Sequence, residues 1–433
     1  MLLSRFIALG GIGSVLCGLS ALTASAQTAT AILSEGDALG GSTVDVIRFS
    51  GDANGVNGFV VQVGTADGAE HIFGSVDGVT PDGVVRTAGT VGSFVQTSID
   101  GEIGLSDAGV VTYGVNLDDL AGADVGKAIY QDDTLIVKVG DAGAGTATNF
   151  VDVLSTRAGT PSFFGTTPGS PDNGLFVGAG LSNSPQIGDL ILGFNIDGFD
   201  EFQHGNSDAN GPIQEVAIDT GSSANDGIVL INGAPITSGT GNIREGDAIP
   251  VADGGIGDNW DNFDFHRINE AGTFLITGDT DQSGGSADEF VSINGVVVAR
   301  EGDLIDGGII DGGIENADLN EDGIWAAIWD FDTDLTGGST DAEAIYLGDA
   351  AGVSQLLIKE GDQVSVGGSL QTLTDITTGL AIGDVQGDGT YNVWFRGVSD
   401  GVQRQFVIEV PEPSTLGLLG LGVALAGVRR RRA

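Results

Sequence analysis

Basic side chains are scarce in this chain: 16 Lys and Arg stand against 60 Asp and Glu in 433 residues, giving a formal net charge of −44. A surface that acidic repels nucleic acid and anionic lipid, so nucleic-acid binding is excluded as a partner class. Cysteine is represented only by Cys17, near the start, so disulfides cannot hold the body of the chain together. Proline is low at 10 residues, which excludes a collagen-like or Pro-rich disordered chain even though the 74 glycines are more than double the usual share of ~7%. His71, His204 and His266 are the only histidines, and they lie far apart without metal-ligand spacing. Neither a Gly-x-Ser-x-Gly elbow nor a phosphate-cradling Gly loop is present, and the sequence is read as that of a non-enzyme. Hydrophobic residues still make up 41% of the chain, enough to bury a large core.

Long apolar runs occur only at the two ends. Arg5 is the single charge among the first 30 residues, and an apolar stretch from Phe6 to about Leu22 leads to Ala24-Ser25-Ala26. This small-x-small pattern is what a signal peptidase cuts after, so residues 1–26 are read as a signal helix and the mature chain as starting at Gln27. Cleavage there removes Cys17. At the other end, Val410-Pro411-Glu412-Pro413-Ser414 precedes an apolar stretch from Leu416 to Val428 and then Arg429, Arg430, Arg431 and Arg432. The prolines break the preceding strand, the apolar run can enter a bilayer as a transmembrane helix, and the arginines stay on the cytoplasmic side.

This three-part tail, residues 410–433, resembles the PEP-CTERM sorting signal of bacterial exported proteins. The resemblance implies recognition of Pro411, Glu412 and Pro413 by an exosortase, transient anchoring in the membrane, and display on the cell surface or in an extracellular matrix such as that of a biofilm. Extracellular polysaccharide is then an expected partner.

Between the ends, residues 27–409 carry a repeat. Glu-Gly-Asp occurs at 35–37, 245–247, 301–303 and 360–362, with degenerate copies at Val139-Gly140-Asp141, Ile187-Gly188-Asp189 and Ala88-Gly89-Thr90. The central glycines, 36, 89, 140, 188, 246, 302 and 361, recur every 48–59 residues. That period marks a repeat architecture, and a unit of this length has room for four short strands, one blade of a β-propeller. Each marker follows an apolar β-rich run, as in Val296 to Arg300, and upstream of the run lies a hairpin turn such as Asn232-Gly233 or Asn294-Gly295. The prediction is an all-β propeller of seven blades. Six blades with an insertion over 142–240 is the alternative. The last unit lacks a marker of its own, whereas Thr30 to Ser34 occupies the pre-marker position without a unit in front of it. The N-terminal strand is therefore predicted to complete the last blade and close the ring.

A second pattern recurs mid-unit: Asn269-Glu270-Ala271-Gly272 and Asn320-Glu321-Asp322-Gly323, with weaker copies at Ser106 to Gly109 and Pro171 to Gly174. It resembles the Asn-x-x-Gly-x-x-x-Ala-Phe tandem repeats of choice-of-anchor surface proteins, although Ile276 and Ile328 depart from that pattern. The resemblance implies an exported surface protein.

Two Asp-rich loops are the chemical candidates. Asp279, Asp281 and Asp288, and in the next unit Asp330, Asp332 and Asp334, alternate with Gly turns in a way that can offer hard oxygens to Ca²⁺. Solvated acidic turns are the competing reading. Trp260, Trp325, Trp329 and Trp394 are read as core; Trp325 and Trp329, four apart, belong on one face of a strand. A glycan- or calcium-binding propeller and a propeller hydrolase on extracellular polysaccharide are the alternatives to a structural or interaction protein.

Overall fold

A computed structural model describes residues 28–412, except 81, 142–148, 167–172, 179–181, 200–203, 224, 239–240, 283–286 and 334–341. The signal helix and the transmembrane helix expected at the two ends fall outside the described residues. Among the described residues no helix is long and apolar enough to cross a membrane.

Among the described residues seven antiparallel sheets of four or more strands succeed one another along the chain, 38–87, 90–138, 149–186, 190–235, 260–300, 304–359 and 363–411, with a two-stranded pair, Thr237–Ser238 and Gly241–Asn242, between the fourth and fifth. We call them blades 1 to 7. Each is a meander, and sheet packs on sheet around a ring, so the fold is a seven-bladed β-propeller. Seven is the predicted number; the six-blade alternative fails because 149–186 and 190–235 each form a sheet of their own. Their poor match to the repeat has a structural counterpart. The innermost strand of blade 4 is broken into Phe194–Gly198 and His204–Ser207.

The predicted closure is present. Strand Thr30–Ser34 lies antiparallel to Val402–Pro411, pairing Thr30 with Val407 and Ser34 with Arg404, and so supplies the outer strand of blade 7. A ring closed this way leaves no open end between the first and last blades.

Side-chain patterning follows from burial on both faces of each sheet. Middle strands such as Phe59–Thr65 and Trp325–Asp332 are buried almost throughout. Alternate residues serve opposite neighbours: Trp325, Ala327, Trp329 and Phe331 pack toward blade 5, and Ala326 and Ile328 toward blade 7. Trp325 and Trp329 thus share a face. All four tryptophans are buried, at 0–4% exposure, which removes them from any sugar-stacking surface.

The repeat markers are the inter-blade turns. Six of the seven marker glycines have φ between +76° and +89°, a conformation that disfavours side chains with a Cβ; Gly89 is the exception. The marker aspartate locks the turn by accepting the N–H three residues back: Asp37 from Ser34 at 2.8 Å, Asp303 from Arg300 at 2.9 Å, Asp362 from Lys359 at 3.0 Å. The marker glutamate reaches sideways. Glu301 accepts from the N–H groups of Asp288 and, across the seam, Gly312 in blade 6.

Candidate functional site

The turns at the ends of the innermost strands meet around one mouth of the central channel. They are centred on residues 55, 107, 157, 208, 270, 321 and 384, one per blade. Each is tied to the next. The Gly55 N–H donates to Asp107 at 2.8 Å, Ala158 N–H to Asp208 at 2.9 Å, Asp208 N–H to Glu270 at 2.9 Å, Glu270 N–H to Glu321 at 2.8 Å and Glu321 N–H to Asp384 at 2.8 Å. Between blades 2 and 3 the Asp107 N–H donates to the backbone oxygen of Arg157 instead.

A second layer uses side-chain amides that donate to a backbone oxygen of the adjacent turn. Asn54 donates to Ser106, Gln131 to Gly159, Asn210 to Asn269 and Glu270, Asn269 to Asn320 and Glu321, Asn320 to Gly383, and Gln386 back to Gly55. The last of these closes the circle between blades 7 and 1. The repeated Asn-x-x-Gly sequence is thus an inter-blade latch. The amide oxygen of each Asn accepts an N–H within its own turn, such as Thr273 on Asn269 and Ile324 on Asn320, while its N–H group crosses the seam.

Arg157 is the one basic residue at these seven positions. Its guanidinium turns inward and lies 3.2 Å from Asp384, 3.5 Å from Glu321 and 3.8 Å from Asp107, and it donates to the Ala53 oxygen. Beneath it the channel holds a cavity of about 80 Å³, lined by Asp52, Asp318, Arg267 and residues from all seven inner strands. Burial, opposed by Arg157, raises the Asp52 carboxyl to about 7. Asp52 and Asp318 each accept an N–H from the neighbouring blade, Leu105 and Ile382 respectively.

Sequence reading placed the blade 3 copy of this turn at 171–174. The structure corrects that. Asn173 and Gly174 begin the strand Asn173–Val177, and the equivalent turn is Thr156-Arg157-Ala158-Gly159. Arginine where five of the other six carry an acid hid it; the surviving signal is Ala158-Gly159-Thr160 beside Ala271-Gly272-Thr273.

The histidines are internal. His204 in blade 4 bonds Asp152 through Nδ1 and Ser162 Oγ through Nε2, the latter at 2.7 Å. The order is that of a nucleophile, a base and an acid, but Ser162 and His204 are 0% exposed, so the group fastens blade 3 to blade 4 and meets no solute. His71 sits between Thr65 and Thr87. His266 has no hydrogen-bond partner among the described residues, and burial holds its pKa down to about 3.

The six predicted metal-binding aspartates do not gather into one group among the described residues. Asp279 lies beside Glu289, Asp281 accepts from Asn259 (N–H at 2.8 Å), Asp288 faces Glu301, Asp330 lies near Glu315 and Asp311, and Asp332 is buried; Asp334 is outside the described residues. A different set converges: Glu343, Glu360 and Asp375, at the seam of blades 6 and 7, have oxygens within 4.8 Å of one another. Burial, reinforced by Asp375 and Glu360, raises Glu343 to about 8. Of the sorting residues, Pro411 ends the last strand and the Glu412 N–H donates to the Gly389 oxygen at 2.7 Å. Pro413, Ala24, Ala26, Gln27 and Arg429 to Arg432 lie outside the described residues.

Comparison with known proteins finds one family model: the PEP-CTERM protein-sorting motif matches residues 409–432. The chain therefore carries an exosortase-type sorting signal, which implies export and transient anchoring at the membrane. No curated protein matches it. Solved structures that it is similar to include the Dos1 propeller (11% identity over 84% of this chain and 78% of that one, TM-score 0.37). A protein of unknown function from Dyadobacter fermentans aligns at 9% identity over 89% and 98%, TM-score 0.39. A Trypanosoma rangeli sialidase in complex with sialic acid aligns at 10% over 92% and 60%, TM-score 0.35. At that level of likeness the seven-bladed assignment rests on the strand pairing.

Proposed function

We propose that this protein is an exported propeller displayed on the cell surface or in the extracellular matrix. There it acts as a structural or interaction module, with extracellular polysaccharide as its partner, and not as an enzyme. Signal peptidase cuts after Ala26, and an exosortase acts at Pro411, Glu412 and Pro413. The observation that carries this reading is the junction itself. The matched sorting motif, 409–432, overlaps the last strand of the ring only over its final three residues, so removal of the tail beyond Pro411 leaves every blade intact. The recurring Asn-x-x-Gly latches favour the choice-of-anchor reading of the repeat, and the closed ring of blades suits a body that must persist outside the cell without disulfides.

The test is the paired variant Pro411→Ala, Pro413→Ala expressed in the native host. Surface fractionation should show loss of display and retention of full-length protein in the membrane. Unchanged display with the tail removed would overturn the reading.

A second reading, cation binding, is supported by the convergence of Glu343, Glu360 and Asp375. Calorimetry with Ca²⁺ and a thermal melt with and without chelator decide it.

A further inference from the structure

Six of the seven blade seams are bridged by a side-chain amide that donates to the next turn. Among the described residues the seam between blades 3 and 4 has none. The residue at the Asn position of blade 3 is Thr156. Its Oγ accepts the Thr160 N–H at 2.9 Å, as the Asn oxygens do in blades 1, 5 and 6, but across the seam it meets the Asp208 carboxylate and not a backbone oxygen of the next turn. Blade 2 has the same shortfall at Ser106. There Gln131 supplies the amide, donating to Gly159 at 2.6 Å, and Gly159 lies against Ser106. No amide crosses the 3–4 seam among the described residues; the Thr156 and Thr160 hydroxyls cross only to Asp208, Thr160 at 2.7 Å, and a cavity of about 240 Å³ opens beside them. That is room for about eight waters at ~30 Å³ each.

The lining is polar and directional. Thr156 and Asp208 come from the latch turns, Asn206 from the inner strand of blade 4 and Asn232 from a hairpin turn of the same blade; Val177 and Pro212 supply apolar patches. Both amide atoms of Asn206 are buried and have no hydrogen-bond partner. A buried amide without partners is costly, about 1–3 kcal/mol, unless something else meets it. Among the described residues Asp208 is the only charged group in the lining. Burial raises its pKa, but hydrogen bonds from Thr156, Thr160 and the Ala158 N–H outweigh this and hold it below the ordinary range, so it is ionised at neutral pH.

We propose that the blade 3–4 seam is a binding pocket for one sugar residue, neutral or amine-bearing, at the channel mouth of the propeller. Closely spaced hydroxyls match the alternating amide, hydroxyl and carboxylate groups, and the C–H face of a pyranose matches Pro212 and Val177. Among the described residues the lining has one carboxylate and no basic side chain, which excludes uronic and phosphorylated sugars. This deepens the polysaccharide part of the proposed function and rests on it, but the two fail separately, since binding is measured on purified protein and sorting in the cell.

The experiment is saturation-transfer NMR on the purified mature propeller with methyl glucoside, glucosamine and glucuronate as probes. Transfer is expected to one or both of the first two, with glucuronate at least ten-fold weaker. Thr156→Asn restores the missing amide, so it is expected to abolish transfer and raise Tm. Asn206→Ala should lower transfer at least five-fold with the melt still cooperative. The proposal is overturned if neither methyl glucoside nor glucosamine binds, if glucuronate binds equally well, or if folded Thr156→Asn and Asn206→Ala bind as the natural chain does.

Discussion

The seams between blades 5 and 6 and between blades 3 and 4 do the same job with different residues. At the first, the amide of Asn269 crosses to two backbone oxygens and Glu321 takes the Glu270 N–H, so the turn is held from both sides. At the second, the carboxylate half survives in Asp208, the amide half is gone, and the residue between them is Arg157. A closed ring tolerates one weak link because its neighbours fix the gap. That freedom is what lets Thr156 leave space and lets Arg157 leave the ring to serve the channel.

The largest effect is expected where that exchange is undone. Arg157→Ala leaves Asp107, Glu321 and Asp384 facing one another without their cation, over a channel that already holds Asp52 and Asp318. Asp384 is largely buried, Glu321 partly so and Asp107 half-exposed, so removing their shared cation costs about 2–3 kcal/mol. Urea denaturation should show a loss of that size, and a loss below about 1 kcal/mol would mean the guanidinium is not the hub of the channel.

The two seams can then be compared directly. Asn320→Ala removes two accepted bonds within the turn and a donated bond across the seam, for about 3 kcal/mol, whereas Thr156→Ala removes one accepted bond and the hydroxyl's bond to Asp208, for about 1–2 kcal/mol. Equal losses in the same denaturation assay would show that the crossing amide carries no weight.

Smaller and more diffuse is the effect of pH. Burial raises Glu245 and Asp52 to about 7, Glu301 and Glu343 to about 8, and Glu289 to about 9; Asp226, Asp288 and Asp279, the neighbours of the three seam glutamates in blades 4 and 5, add to the shift. The folded chain therefore binds more protons than the unfolded one between about pH 4.5 and 9, and stability falls as pH rises through that window. His266 works the other way: its lowered pKa costs stability as pH falls below about 6.5. With five carboxyls against one imidazole, Tm should be higher at pH 6 than at pH 9. A flat or reversed profile in scanning calorimetry at constant ionic strength would contradict the burial of these groups.

Local features were the ones that could be read from the sequence. The marker glycines, the Asn-Gly turns and the unpartnered strand Thr30–Ser34 each depend on a few adjacent residues, and a period of 48–59 residues makes them stand out. The site did not show because its partners are far apart. Arg157 meets Asp384 across 227 positions, and His204 meets Asp152 across 52. Composition also misled: with 60 acidic residues, Asp-rich loops draw attention, while the carboxylates that converge, Glu343, Glu360 and Asp375, come from three separate strands or turns. The cavity is marked in the sequence only by Thr156, where blades 1, 5 and 6 carry Asn and blades 2 and 4 carry Ser.

The central claim is a single closed ring, and the most direct test of it is to remove the strand that closes it. A mature chain lacking Thr30 to Ser34 should expose Val402–Pro411, and amide hydrogen exchange should show that strand losing protection while the seam of blades 7 and 1 loosens with it. Full protection of Val402–Pro411 in the shortened chain, with an unchanged Tm, would mean that the ring does not depend on its N-terminal strand.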